Sequence, residues 1–161
     1  MEKEIFHRCR AAGREFTSEQ WHEYLDEEDP IEVRYGEFVY NVNDICLNPE
    51  RERICVKDGA YGYNVEIKTA AANGLWAYGL SYSCGTGGGG CGVTFPDHED
   101  GDDYGRGYRS KKYCLVAACH EAIMRIKSMG DGKALAKQLI DKIECYRREI
   151  SRPKVVQLEL F

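Results

Sequence analysis

The sequence predicts an α+β domain over residues 1–152, followed by a short tail at 153–161. The domain is expected to be an antiparallel sheet of four to five strands with helices packed on one face. Three observations carry this. Tyr61, Tyr63, Val65 and Ile67 alternate with smaller or polar residues, and Trp76, Tyr78, Leu80 and Tyr82 repeat the pattern. Asn73-Gly74 between them is a hairpin turn signal. Downstream, the apolar period changes from two to 3.6 over two long stretches, which marks two helices.

The elements follow in chain order. Residues 1–16 read as a short, weak helix, with Ile5 and Phe6 in a thin apolar stripe. Thr17 and Gln20 fit a capping box, Trp21, Tyr24 and Leu25 share a face, and Pro30 stops the second helix. IEVRY alternates on odd positions and FVYNV on even ones, so Gly36-Glu37 marks a tight turn or a bulge. ERICVKD is a short strand closed by Asp58-Gly59, ahead of the hairpin over 61–84. Residues 85–109 are glycine-rich and then acidic, have no periodicity, and read as a long loop. Ser110 is placed to cap a helix whose stripe includes Leu115, Cys119, Ala122 and Ile126. MGDG breaks it, and the last helix aligns Leu135, Leu139, Ile143, Tyr146 and Ile150 before Pro153 ends it. Arg147 and Arg148 sit near its C-terminus, where the helix dipole favours cations.

Charge and cysteine content bound the function. A net charge of −5 excludes binding of polyanions by bulk field, so nucleic-acid binding would need a local basic patch. The eight cysteines mostly lie inside apolar patterns such as CLVAAC, where cysteine acts as a small core residue. The charged start, MEKEIFHRCRAAGREF, has no signal-peptide core, and no apolar run approaches a membrane span. A cytoplasmic protein with no membrane partner is expected.

Several motifs compete for a chemical role. Gly85, Gly87 and Gly90 satisfy G-x-G-x-x-G after a strand, but Pro96 and the acidic run exclude the helix that a dinucleotide site requires. No nucleotide or other cofactor is therefore expected. Cys84, Cys91, Cys114, Cys119 and His120 lack the tight pairs of structural zinc sites, so buried thiols are the better reading and no metal ligands are assigned. DHEDGDD lacks the alternating ligand register of a calcium loop. No nucleophile elbow or paired-histidine signature is present, so no catalytic residue is assigned and a non-enzymatic protein is expected. The aromatic face of Tyr61, Tyr63, Trp76, Tyr78 and Tyr82 is expected in the core.

Two stretches point to partners. Arg106, Arg109, Lys111 and Lys112 gather in GRGYRSKK where the loop enters the helix. Lysines in a first helical turn oppose the dipole unless an anion shares the site. This string, followed by Ala117 and Ala118, resembles the last helix of double-stranded-RNA-binding domains, whose leading lysines contact phosphates. The strand–strand–helix order of 61–128 also looks like the small domains of HicB-type antitoxins.

At the other end, Gln157-Leu158-Glu159-Leu160-Phe161 resembles the Q-L-x-L-F peptide by which bacterial replication and repair proteins bind the DNA sliding clamp. The resemblance implies that Leu158, Leu160 and Phe161 enter an apolar cleft on the clamp and that Gln157 hydrogen-bonds beside it. Glu159 stands where the family more often has Ser or Asp. The alternation of Val156, Leu158 and Leu160 also permits an edge strand. The expectation is a DNA replication, repair or mobile-element accessory recruited to the clamp. The alternative is a nucleic-acid-binding module acting through GRGYRSKK, with the tail as an edge strand.

Overall fold

The computed structural model describes residues 32–41, 43–96, 106–130 and 133–153. The helices expected before Pro30, the DHEDGDD run and the tail residues Gln157, Leu158, Leu160 and Phe161 lie outside the described residues. The described elements run β1 (Glu32–Tyr35), β2 (Phe38–Asn41), β3 (Glu50–Lys57), β4 (Tyr63–Ala72), β5 (Leu75–Cys84), β6 (Gly87–Gly90), β7 (Arg106–Tyr108), α1 (Lys111–Gly130) and α2 (Ala134–Ser151).

The fold is α+β. Strands β3 to β7 form one five-stranded antiparallel sheet in the order β3-β4-β5-β6, with β7 also pairing β5. Its centre is the β4–β5 hairpin, ten residue pairs from Tyr63↔Cys84 to Ala72↔Leu75. Asn73 and Gly74 close it with φ of 53° and 77°. Two left-handed residues match the twist of the flanking strands, and Asn-Gly reaches that conformation at low cost.

One face of the hairpin is the main core. Tyr63, Val65, Ile67 and Thr69 of β4 lie beside Tyr78, Leu80 and Cys84 of β5, all buried. Both helices cover this face. Cys114, Ala118, Cys119, Ala122, Ile123 and Ile126 come from α1, and Ala136, Leu139 and Ile143 from α2. Each large aliphatic side chain buried here contributes about 1.5–3 kcal/mol. Ser110 Oγ accepts the Tyr113 N–H at 3.2 Å, which caps α1 as expected. At the far end of α2, Arg152 is extended ahead of Pro153, the conformation that proline imposes on its predecessor.

The opposite face carries a second, smaller core. Ala70, Ala72 and Ala77 present a flat strip to Phe38, Tyr40, Cys46, Val93 and Phe95. Strands β1 and β2 join through Gly36-Glu37, with Tyr35 opposite Phe38 and Gly36 at φ +59°, so the slip in phase is a tight turn. The pair forms a separate two-stranded ribbon rather than part of the main sheet. Edge-on aromatic contacts seat it: Tyr40 to Phe95 at 5.2 Å and Phe38 to Trp76 at 6.0 Å between ring centroids. Alternation shows which residues share a face, but not which sheet they join.

Two expectations are corrected. The long loop at 85–109 contains strand β6 at Gly87–Gly90 and strand β7 at Arg106–Tyr108. Four consecutive glycines have no side chains to alternate, so their strand leaves no period in the sequence. The glycines are nonetheless required by packing. A Cβ on Gly88 would lie 2.7 Å from the Tyr82 carbonyl oxygen, and one on Gly89 would lie 2.8 Å from the Tyr82 hydroxyl. Tyr61 is the second case. It sits before β4 at φ +59° and is 65% exposed, and of the remaining expected aromatic face Tyr63 and Tyr78 are buried while Trp76 and Tyr82 are half-buried.

Candidate functional site

The basic stretch gathers where β7 runs into α1. Arg106 lies in β7 opposite Ala77, Arg109 is exposed, and Lys111 and Lys112 are the first two residues of the helix. Helix α1 has no acidic residue in its first turn to complement the dipole. The carboxylate comes instead from the sheet: Lys111 Nζ donates to Glu50 Oε2 of β3, 61 residues earlier in the chain. Glu50 thereby sets an anion beside a helix N-terminus that bears two lysines, where a negative charge is worth about 0.3–1 kcal/mol. Lys111 Nζ also stands 5.5 Å from the centre of the Trp76 ring, within cation–π range. Of the four expected cations, Lys111 is thus held by an ion pair to the sheet, and both it and Lys112 are exposed.

Beside this pair lies a cavity of about 140 Å³. It opens where the start of β3, the middle of β4, the first turns of α1 and the last turns of α2 meet, with Glu50, Glu52, Thr69, Lys111, Leu115 and Tyr146 in its walls. Glu50 pairs with Thr69 and Glu52 with Ile67 across the β3–β4 ladder, which places both carboxylates on the helix side of the sheet. Thr69 is 2% exposed, and its hydroxyl has no hydrogen-bond partner among the described residues. Glu52 has no ion-pair partner among them either. The Tyr146 phenol is pushed up to about 12, first by burial and then by the Glu52 carboxylate. No motif signals this arrangement. Only the i, i+2 spacing of Glu50 and Glu52 on a strand hints at it.

A wider hollow of about 440 Å³ lies between the tips of the two hairpins, with Tyr35, Phe38 and Trp76 as its aromatic walls. On the sheet's other face, Arg51 pairs with Glu66 at 2.6 Å and Arg53 pairs with Asp58. The Arg53 guanidinium holds the Asp58 carboxyl below its ordinary range. Both arginines are therefore engaged within the fold.

The cysteines are dispersed. Cys84, Cys114 and Cys119 are buried, whereas Cys91 and His120 are exposed. Burial pushes the Cys114 and Cys119 thiols up to about 12, so they remain protonated and unreactive. Among the described residues, no three His, Cys, Asp or Glu side chains converge as a metal site would require. The glycines of the G-x-G-x-x-G string lie in the β5–β6 turn and in β6, rather than at a helix N-terminus. Among the described residues, no helix is long and apolar enough to cross a membrane.

The clamp-like residues Gln157, Leu158, Leu160 and Phe161 lie outside the described residues. Compared with known protein families, curated proteins and solved structures, the chain matches none.

Proposed function

We propose that this domain is a non-enzymatic accessory of DNA replication or repair, or of a mobile element, recruited to the bacterial sliding clamp by residues 157–161. The observation that carries the reading is the peptide itself, Gln157-Leu158-Glu159-Leu160-Phe161. The end of α2 supports it. Arg152 is extended and exposed and Pro153 is exposed, so the chain leaves the folded domain at its surface. A peptide in that position can deliver two leucines and an aromatic ring into a preformed groove, where binding energy concentrates in few anchors. Tethering then raises the local concentration of the domain near DNA to the millimolar range without any new contact. The reading places the protein in the bacterial cytoplasm.

The test is a calorimetric titration of the full chain against a bacterial clamp, repeated with residues 157–161 removed and with Leu160→Ala and Phe161→Ala together. Saturable binding that both changes abolish supports the proposal. Equal binding by the truncated chain removes it.

A second reading rests on exposed Lys112 beside Arg109 at the capped start of α1: a nucleic-acid-binding module. The engagement of Lys111 by Glu50 leaves it fewer cations to work with. Binding of duplex RNA or DNA that weakens with salt, and is lost in Lys111→Glu with Lys112→Glu, supports this module. Binding unchanged by the double substitution rejects it.

A further inference from the structure

The cavity between β3, β4 and the two helices is polar in a way that the fold does not require. A buried hydroxyl without a partner costs free energy, and replacing it by a methyl of the same shape removes that cost. Thr69 nonetheless sits in the wall at 2% exposure with its hydroxyl unpaired among the described residues. Glu52 adds a carboxylate without an ionic partner among them, and Tyr146 adds a phenol. The Glu50–Lys111 pair is neutral as a unit, and Arg51 is tied to Glu66, so the charge left over at the cavity is that of Glu52.

From these groups we infer that the cavity binds a primary alkylammonium group, as carried by a lysine side chain or a polyamine. An ammonium has three donors and no acceptor. The Glu52 carboxylate, the Thr69 hydroxyl and the Tyr146 phenol oxygen each offer it an acceptor, and Glu50 lies alongside. Ile67 and Leu115 line the same cavity and give the methylene stem an apolar track, as long cationic side chains prefer. A volume of about 140 Å³ takes such a tip together with several carbons. A divalent metal fits the walls less well, because such ions favour several carboxylates and, among the described residues, no three His, Cys, Asp or Glu side chains converge. An anion fits worse still, because it would have to approach Glu52.

The inference is independent of clamp binding, since none of its residues lies in the tail. The experiment is a two-dimensional amide NMR titration of the full chain with three probes: Nα-acetyl-lysine methylamide, putrescine and magnesium chloride. Saturable shifts centred on Thr69, Leu115 and Tyr146, with a dissociation constant on the order of 1 mM for either amine, are the expected result. Tighter binding of the lysine derivative identifies a peptide as the source, and tighter binding of putrescine identifies a polyamine. Acetylating the lysine side-chain amine removes the charge and should remove the shifts. Glu52→Gln should weaken binding at least about tenfold, and Tyr146→Phe serves as a second variant that leaves the surface charge unchanged. Three results overturn the inference: no saturable shift with either amine, shifts that persist unchanged in both variants, or the same shifts from magnesium.

Discussion

Gly79→Ala tests how the sheet's second face is sealed. Gly79 lies in β5 beneath the segment that returns from β6, and an added Cβ would stand 2.6 Å from the Gly92 carbonyl oxygen, 2.7 Å from its carbon and 2.8 Å from the Cys91 carbonyl oxygen. All three neighbours are backbone, so no side chain can rotate away. Ordinary contact begins near 3.4 Å, so the backbone would have to retreat by more than half an ångström. That segment is pinned by the Cys91 N–H on the Leu80 carbonyl at 2.7 Å, the Cys46 N–H on the Val93 carbonyl at 3.0 Å and the Phe95 N–H on the Asp44 carbonyl at 2.7 Å. Overpacking of this kind costs about 1–3 kcal/mol. At roughly 2–4 °C per kcal/mol for a chain of this size, the melting temperature should fall by roughly 2–12 °C. Thermal unfolding followed by far-ultraviolet circular dichroism and by tryptophan fluorescence measures it. Gly92→Ala is the comparison, because its Cβ meets only the Ile45 Cγ2 methyl, at 3.1 Å. Gly79→Ala within about 0.5 kcal/mol of the parent, or Gly92→Ala as the costlier change, would refute the reasoning.

Other expectations follow from the same contacts. Thr69→Val removes a buried, unpaired hydroxyl and should stabilise the ligand-free protein by about 1 kcal/mol in urea titrations; clear destabilisation would show that the hydroxyl is satisfied. The buried Tyr78 phenol donates to Glu121, which also accepts from Arg125 at 3.3 Å, so Tyr78→Phe should cost about 1–3 kcal/mol; a neutral result would mean that Glu121 contributes nothing there. Cys114 and Cys119 titrate near 9.0 when exposed and are pushed up to about 12 by burial. A folded pKa above the unfolded one leaves stability intact below the unfolded value and removes it as pH rises toward the folded one. Between about pH 9 and 12, each thiol should therefore remove up to about 1.4 kcal/mol per pH unit. The urea midpoint should drop across that window, and by less when both cysteines are replaced with alanine; equal drops would exclude the thiols as the cause.

Much of the fold was legible because its signals are local. Residues 63–84 carry their own period, and Asn73-Gly74 supplies the left-handed conformation that the hairpin turn needs. Ser110 caps the helix that it precedes, and the α2 stripe buries Leu139 and Ile143 as its spacing requires. The site was legible only in part. Lys111 could be read as a cation at a helix start, but its partner Glu50 comes from another strand, and no spacing rule connects residues that far apart.

The sequence alone determined the α+β class, the central hairpin, both described helices and the existence of a Q-L-x-L-F peptide beyond them. Tertiary structure decided the rest. It lifted β1 and β2 off the main sheet as a ribbon, turned Gly87–Gly90 into a strand over the Tyr82 ring, and brought Glu50, Glu52, Thr69, Lys111 and Tyr146 around one cavity. The division has one physical cause. Periodicity, turns and caps act over a few residues and leave a pattern in the chain. Glycine strands have no side chains to carry a pattern, and charge pairs between distant elements arise only when packing brings those elements together.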